Sequence, residues 1–233
     1  MATVTPPQVI YPDSDGQPMA DNTLQWEWIA TIKGNLDILF RDDPDVFVAG
    51  DLLWYPVEGD NLTRTAPDAL VAFGRPKGYR GSYKQWEEGG VAPQVVFEIL
   101  SPGNRLGKMV QKFRFYERFG VEEYYVYDPE TFELTGWLRR DDVLEEITEM
   151  NGWVSPRLRV RFDLALGELR LIGPDGRPFA NAVVLARQRE EAERRADEER
   201  RRADEERRRA DEERERADRL AAQLKALGIE PEL

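Results

Sequence analysis

Val95-Val96-Phe97-Glu98-Ile99-Leu100 is an apolar run with one acidic residue, bounded by Pro93 and by Ser101-Pro102-Gly103. Its length, its β-branched residues and the flanking turn residues predict a buried β-strand. Removing water from an ionised carboxylate is costly unless a cation or hydrogen-bond donors replace the water. Glu98 in such a strand therefore indicates a functional site.

Two neighbouring segments carry groups that would complement Glu98. Upstream, Pro67-Asp68 introduces a second apolar strand, and downstream Lys112 lies on an amphipathic helix predicted from about Arg105 to Phe119. Two carboxylates and a lysine are the groups that metal-dependent cleavage of a phosphodiester needs. The structural alternative is an ion pair between Glu98 and Lys112, with Asp68 capping a turn.

The composition excludes several other kinds of site. The 233 residues include no His and no Cys, which excludes serine–histidine triads, cysteine nucleophiles, disulfides and ordinary zinc sites. A metal would have to be bound by oxygen atoms, which favours Mg²⁺, Mn²⁺ or Ca²⁺. No segment approaches the roughly 20 apolar residues of a membrane span. We therefore expect a cytoplasmic protein with no membrane partner.

The charge is acidic overall and basic around Glu98. The formal net charge of −12 argues against a general nucleic-acid binder, yet segment 75–118 carries nine basic residues against four acidic ones. Its first part, 74–90, mixes basic, aromatic and glycine residues, which suits contact with phosphates and stacking on bases. A plain surface loop is the alternative. The candidates for DNA contact are Arg75, Lys77, Arg80 and Lys84.

Periodicity predicts an α/β (α+β) fold with a mixed sheet flanked by helices. A first helix would run from a cap at Asp21-Asn22-Thr23 to about Phe40. Strands are expected around 46–48, 52–55, 70–73, 95–100 and 124–127, with a trailing meander at 134–138, 144–147 and 158–162. We divide the chain into an N-terminal extension (1–19), one domain (20–180), a long charged helix or weak coiled coil (181–227) and a C-terminal tail (228–233).

The C-terminal helix is predicted from a repeat of seven residues. Arg-Arg-Ala-Asp-Glu-Glu-Arg occurs three times, from Arg194, Arg201 and Arg208. One seam position of the heptad is Ala and the other is Glu, which disfavours a tight zipper, whereas pairs of opposite charge four residues apart support an isolated helix. Such a helix would serve as a spacer or a weak oligomerisation arm. A solvated charge run without a partner is the alternative.

Four short motifs occur in order along the chain. They are Pro67-Asp68, Glu98-Ile99-Leu100-Ser101-Pro102, Lys112-Phe113-Arg114-Phe115-Tyr116 and Gly120-Val121-Glu122-Glu123-Tyr124. In this combination, over about residues 20–170, the sequence resembles a bacterial restriction endonuclease-like family of the PD-(D/E)XK nuclease superfamily. The resemblance implies a restriction endonuclease-like fold and a Mg²⁺- or Mn²⁺-dependent endonuclease that hydrolyses phosphodiester bonds of DNA.

The resemblance also implies a role for each site residue. Asp68 and Glu98 would hold the metal, and Lys112 would orient the nucleophile or stabilise the developing charge. The wider superfamily places its lysine two residues after the acid, where this chain has Leu100, so the lysine would have moved to the following helix. Lys108, one turn earlier on the same face, is the competitor.

Further alternatives remain open from the sequence. Asp51 could be a third ligand or an exposed turn acid, and Glu27 could approach the metal from the first helix or lie on its solvated face. If Leu100 and Lys108 have dismantled the site, the chain would be an inactive nuclease-like scaffold whose C-terminal helix recruits a protein partner. A homodimer through that helix is a further expectation.

Overall fold

The computed structural model describes residues 9–14, 16, 18–103 and 106–226. Arg105, where the second helix was predicted to start, and the predicted tail 228–233 lie outside these residues. So do residues 1–8 and two further positions of the extension, 15 and 17. Two compact units are distinguished, Met1–Ala182 and Val183–Leu233. The elements of the first unit, in chain order, are α1 Thr23–Leu39, β1 Val46–Ala49, β2 Trp54–Tyr55, β3 Ala69–Phe73, β4 Tyr83–Lys84, β5 Val95–Ile99, α2 Leu106–Phe119, β6 Glu123–Asp128, β7 Glu133–Arg140, β8 Val143–Glu146, β9 Arg161–Asp163 and β10 Arg170–Ile172.

A mixed six-stranded sheet is the centre of the first unit. Its strand order is β1-β3-β5-β6-β7-β8. Only β5 and β6 are parallel, and the other neighbours are antiparallel. Helix α2 connects the parallel pair, as such a pair needs a crossover connection. The predicted α/β class, with a mixed sheet and flanking helices, is confirmed.

The two faces of the sheet bury different clusters. Along β5, Phe97 and Ile99 belong to a cluster with Ile29 and Ile32 of α1, whereas Val96 belongs to a cluster with Tyr116 of α2. Since side chains alternate along a strand, Glu98 lies on the same face as Val96. The period of two therefore directs the acidic residue of this strand towards α2.

Helix α1 begins at the predicted cap and buries an apolar stripe. Asn22 is the N-cap, and its Oδ1 accepts a hydrogen bond of 2.8 Å from the backbone N–H of Gln25. Ile29, Ile32 and Leu36 recur at helical spacing and are buried. Burial of such a stripe supplies most of the stability of a helix within a protein.

Helix α2 packs on the opposite face of the sheet. Tyr116 is fully buried, and Met109 and Phe113 pack beside it. The helix stops before Gly120, whose φ of 95° lies in the left-handed region that favours glycine. This stop turns the chain into β6.

Two of the predicted strands lie outside the six-stranded sheet and pair in smaller sheets. β2 forms a parallel two-stranded sheet with β4, which lies within the segment 74–90 and was not predicted as a strand. Residues 161–163, at the end of the predicted meander, pair with β10 in a second small sheet. Pairing depends on segments remote in sequence, so local patterns do not determine it.

The second unit is dominated by one long helix, α3, Ala182–Ala226. Its described side chains are almost all exposed, and some form ion pairs four residues apart, such as Arg189–Glu193 at 2.9 Å and Arg219–Glu215 at 3.7 Å. The predicted long charged helix is confirmed, and the coiled coil remains a prediction. Within the described part of the chain, a helix of the length and apolarity needed to cross a membrane is not found.

Candidate active site

Asp68 and Glu98 meet at one end of two antiparallel strands. Ala69 of β3 pairs with Phe97 of β5, so Asp68, just before β3, comes opposite Glu98, near the end of β5. Both are buried, with 8% and 2% of their surface exposed. Asp68 Oδ2 accepts a hydrogen bond of 2.6 Å from the backbone N–H of Ile99. The register of the sheet thus brings together two carboxylates 30 residues apart in sequence.

Helix α2 supplies two donors to Glu98. Lys112 Nζ lies 2.6 Å from Glu98 Oε2 and also donates to the carbonyl oxygen of Ala66 at 3.2 Å. The hydroxyl of Tyr116 donates to Glu98 Oε1. Lys112 and Tyr116 are four residues apart and therefore lie on one face of the helix. Both oxygens of Glu98 therefore accept a hydrogen bond from this helix.

The electrostatics of the cluster couple Asp68 to Glu98. Burial, followed by the charge of Glu98, raises the pKa of Asp68 to about 8, against the lowering effect of Lys112. Burial alone would lower the pKa of Lys112, but the charges of Glu98 and Asp68 outweigh it and raise that pKa. Burial and the charge of Glu98 hold the pKa of Tyr116 well above its ordinary value. One lysine therefore does not fully offset two carboxylates.

The cluster opens into a pocket of about 370 Å³. The pocket is lined by Asp68, Glu98, Lys112, Lys108, Asp51, Arg64, Asp21 and Gln25, among others. Both predicted lysines reach it, with Lys112 partly buried against Glu98 and Lys108 exposed at the rim. Of the eight residues named, Arg64, Asp21 and Gln25 were not predicted as site residues.

Gln25 and Asp21 fix the backbone that follows Glu98. Gln25 Nε2 donates to the carbonyl oxygen of Ile99 at 2.8 Å, and its Oε1 accepts from the backbone N–H of Asp21, also at 2.8 Å. Ser101 Oγ donates to Asp21 Oδ2 at 2.5 Å. A Cβ on Gly103 would stand 2.9 Å from the same oxygen, so this turn closes tightly around Asp21. The sequence signal for Gln25 was a polar residue on the apolar stripe of α1.

Asp51 and Glu27 occupy different places relative to the pocket. Asp51, with a φ of 48°, follows β1, and its backbone N–H donates to the carbonyl oxygen of Pro67 at 3.0 Å. This bond holds Asp51 beside the Pro67-Asp68 turn and in the pocket wall. Glu27 is exposed on α1 and does not line the pocket. The polar residue that α1 presents there is Gln25.

The four basic candidates for DNA contact lie away from the pocket. Arg75 and Lys77 follow the far end of β3, five residues or about 17 Å along the strand from Asp68. Arg80 makes a bidentate pair with Glu88 and stacks 4.0 Å from the ring centroid of Phe47. Lys84, in β4, pairs with Glu87 at 3.2 Å. The cations that line the pocket are instead Arg64, Lys108 and Lys112.

The residues of the pocket fit a divalent metal ion with oxygen ligands. Burial, followed by the charge of Glu98, raises the pKa of Asp68, so a cation bound beside that carboxylate would offset both effects. Among the described residues there is no group of three or more acidic side chains arranged for a metal. Mg²⁺ commonly uses one or two carboxylates and retains several waters, so two carboxylates suffice.

Comparison with known proteins agrees with the resemblance of the motifs. A family model described as "Putative restriction endonuclease", Uma2, matches residues 14–167, which is more than half of the chain. The chain belongs to the Uma2 family. A solved structure described as a "putative nuclease belonging to DUF820", from Anabaena variabilis ATCC 29413, matches with 15% identity and a TM-score of 0.44, covering 58% of this chain and 72% of that one. No curated protein matches the chain significantly.

Proposed function

We propose that this protein is a Mg²⁺- or Mn²⁺-dependent endonuclease that hydrolyses phosphodiester bonds of DNA. The observation that carries the proposal is the convergence of Asp68, Glu98 and Lys112 on one pocket from three separate elements. Membership of the Uma2 family supports the nuclease class. DNA as the substrate and the identity of the metal are parts of the proposal.

Asp68 and Glu98 would hold the metal, which when bound supplies a Lewis acid for the phosphate and lowers the pKa of a bound water. Lys112 carries a positive charge at the same place, and its raised pKa keeps that charge at neutral pH. We assign to Lys112 the stabilisation of negative charge that develops on the phosphate oxygens. Leu100, where the wider superfamily has its lysine, cannot supply this charge.

Tyr116 and Gln25 would act as positioning residues. Tyr116 donates a hydrogen bond to one oxygen of Glu98 and so holds the carboxylate group in a set orientation relative to α2. Gln25 fixes the peptide carbonyl of the next residue, Ile99. Orientation of reacting groups by neighbours of this kind accounts for a large part of the rate in many enzymes.

A second candidate function follows from the same hydrogen bonds. Because Lys112 and Tyr116 occupy both oxygens of Glu98, the cluster could be a purely structural ion pair in an inactive scaffold. In that case α3 would recruit a partner protein. The two candidates differ in metal binding. In the nuclease Glu98 would bind Mn²⁺, whereas in the inactive scaffold it would not.

Calorimetric titration with Mn²⁺ and a plasmid-nicking assay separate the two candidates. We expect the parent protein to bind Mn²⁺ and to nick DNA in a metal-dependent way. Glu98→Gln should lower the cleavage rate by about 100-fold or more, about 2.7 kcal/mol, and weaken Mn²⁺ binding. The matched control is Glu27→Gln, which changes an exposed glutamate outside the pocket. Equal Mn²⁺ affinity in the Glu98→Gln variant and the parent would favour the inactive scaffold.

A further inference from the structure

A second cleft, larger than the pocket of Asp68 and Glu98, is formed by the N-terminal segment. Its volume is about 610 Å³, within the range typical of ligand sites. We call it the aromatic cleft, and its lining includes Ile10, Tyr11, Trp86, Lys84, Glu58 and Glu87. None of these residues takes part in the site described above.

The wall formed by the N-terminal segment is held in place by several hydrogen bonds. Asn61 Nδ2 donates to the carbonyl oxygen of Ile10 at 2.8 Å, and the hydroxyl of Tyr55 donates to that of Pro12 at 2.7 Å. The backbone N–H of Gly59 donates to the hydroxyl of Tyr11 at 2.5 Å. The cleft is therefore formed before any ligand binds, which lowers the entropic cost of binding.

The chemistry of the lining suits a flat ring that bears amino groups. The rings of Tyr11 and Trp86 lie 5.0 Å apart and offer aromatic surface, with exposed Ile10 beside them. Glu58 and Glu87 supply two carboxylates against the single charge of Lys84. This balance disfavours a phosphate backbone inside the cleft, whereas carboxylates accept hydrogen bonds from the exocyclic amines of bases.

The aromatic cleft adjoins the proposed active site through Tyr55 and Arg64. The ring of Tyr55 contacts that of Tyr11 at 5.2 Å, and its hydroxyl lies 3.3 Å from Arg64 Nη1. Arg64 also lines the pocket of Asp68 and Glu98. Arg64, a cation of the pocket, therefore contacts a buried residue that packs against the wall of the cleft.

We propose that the aromatic cleft binds one unpaired nucleobase of the strand whose phosphate enters the pocket of Asp68 and Glu98. This inference rests on the proposed function. A base within a duplex is stacked on both faces, so only a single-stranded or extruded base can stack on Tyr11 or Trp86. The substrate would therefore include an unpaired nucleotide, with cytosine or adenine preferred over thymine, which lacks an exocyclic amine.

Fluorescence anisotropy of labelled oligonucleotides with the full-length protein in EDTA tests the cleft without cleavage. We expect oligo(dC) to bind more tightly than oligo(dT) and than a blunt duplex of equal length. Trp86→Ala should weaken oligo(dC) binding about tenfold, while Trp86→Tyr, which restores a ring, should recover most of the affinity. Trp26→Ala is the matched control, because Trp26 is 46% exposed on α1 and lies outside the cleft.

A double variant tests the preference for bases that carry an exocyclic amine. Glu58→Gln and Glu87→Gln together should reduce the difference between oligo(dC) and oligo(dT). Equal oligo(dC) affinity in Trp86→Ala and the parent, or tighter binding of the duplex, overturns the proposal. Oligonucleotide binding is measured without metal, so the two proposals can fail separately. If Glu98→Gln loses cleavage while Trp86→Ala binds oligo(dC) as tightly as the parent, the cleft proposal is rejected and the nuclease proposal stands. The converse result rejects the nuclease proposal, and with it the link to a phosphate in the pocket of Asp68 and Glu98, but it leaves base binding in the cleft standing.

Discussion

Glu98 and Glu123 are two buried glutamates on neighbouring parallel strands, yet their surroundings differ. Glu98, near the end of β5, is bound by a lysine and a tyrosine and faces Asp68 across a pocket. Glu123, at the start of β6, is fully buried and accepts hydrogen bonds from Ser155 Oγ, from the hydroxyl of Tyr125 at 2.9 Å and from the backbone N–H of Arg157 at 2.6 Å. Burial of a carboxylate therefore does not by itself mark a site.

The kind of partner separates the two glutamates. Hydroxyl and backbone donors surround Glu123 and tie β6 to the turn at 155–158, although burial still raises its pKa. Glu98 has instead a charged partner, Lys112, and a second carboxylate, Asp68, beside it, which a metal or a phosphate could engage. We interpret Glu123 as structural and Glu98 as functional, and three predictions test this difference.

The largest expected effect is on stability. Glu123→Ala leaves the buried hydroxyls of Ser155 and Tyr125 and the partly buried N–H of Arg157 without their acceptor, so the free energy of unfolding should fall by about 3 kcal/mol. Urea denaturation measures this loss. Glu122→Ala is the control at the neighbouring position. The side chains of Glu122 and Arg157, which form an ion pair, are 36% and 42% exposed, so this pair should contribute less than about 1 kcal/mol to stability.

A small effect of Glu123→Ala would show that the network around Glu123 does not stabilise the fold. Metal-dependent cleavage per folded molecule should remain close to that of the parent. If cleavage fell as far as in Glu98→Gln while the variant stayed folded, Glu123 would belong to the functional site and the contrast between the two glutamates would disappear.

The next effect concerns the charged partner of Glu98. Lys112→Met should lower the cleavage rate at least about tenfold, about 1.4 kcal/mol, because it removes the cation that contacts Glu98 inside the pocket. Lys108→Met should cost less, since Lys108 is exposed at the rim. Single-turnover cleavage assays at saturating Mg²⁺ compare the two variants. The reverse ranking would transfer the role to Lys108.

The smallest expected effect, counted per pH unit, is the change in metal affinity with pH. Asp68 has a pKa of about 8 without metal, so at lower pH a metal ion must displace its proton. The affinity for Mn²⁺ should therefore rise with pH by at most about tenfold per unit and level off above about pH 8. Calorimetry from pH 6 to 9 measures this slope.

Asp68→Asn removes the group that titrates and provides the control. Its weaker Mn²⁺ binding should change little over the same pH range. An unchanged slope in this variant would assign the released proton to another group and would separate Asp68 from the proposed metal site.

The central strands of the fold could be predicted because their signal is local. β5, β3 and β6 are apolar runs bounded by turn residues, and α1 has both an N-cap and an apolar stripe. β4 could not be predicted, because its two residues become a strand only by pairing with β2. Short strands are stabilised by partners distant in sequence, which a local pattern does not contain.

For the candidate site, residue types and motif order predicted Asp68, Glu98 and Lys112, and the structure places all three at one pocket. Gln25 and Asp21 were missed because their roles arise from hydrogen bonds to Ile99 and Ser101, more than 70 residues away in sequence. The basic residues of 74–90 were selected for charge alone. Charge carries no information on position, and the turn after β3 places Arg75 and Lys77 at the opposite end of that strand.

The sequence by itself determined the chemistry that is available: no imidazole or thiol, carboxylates on apolar strands, and a charged helix that needs no core. These properties follow from residue type and short-range periodicity. Only the tertiary structure decided which carboxylates face one another, which glutamate receives a lysine and which receives neutral donors, and where the cations stand. Those outcomes depend on sheet register and on which face each helix covers, since a shift of one residue would turn Glu98 away from α2.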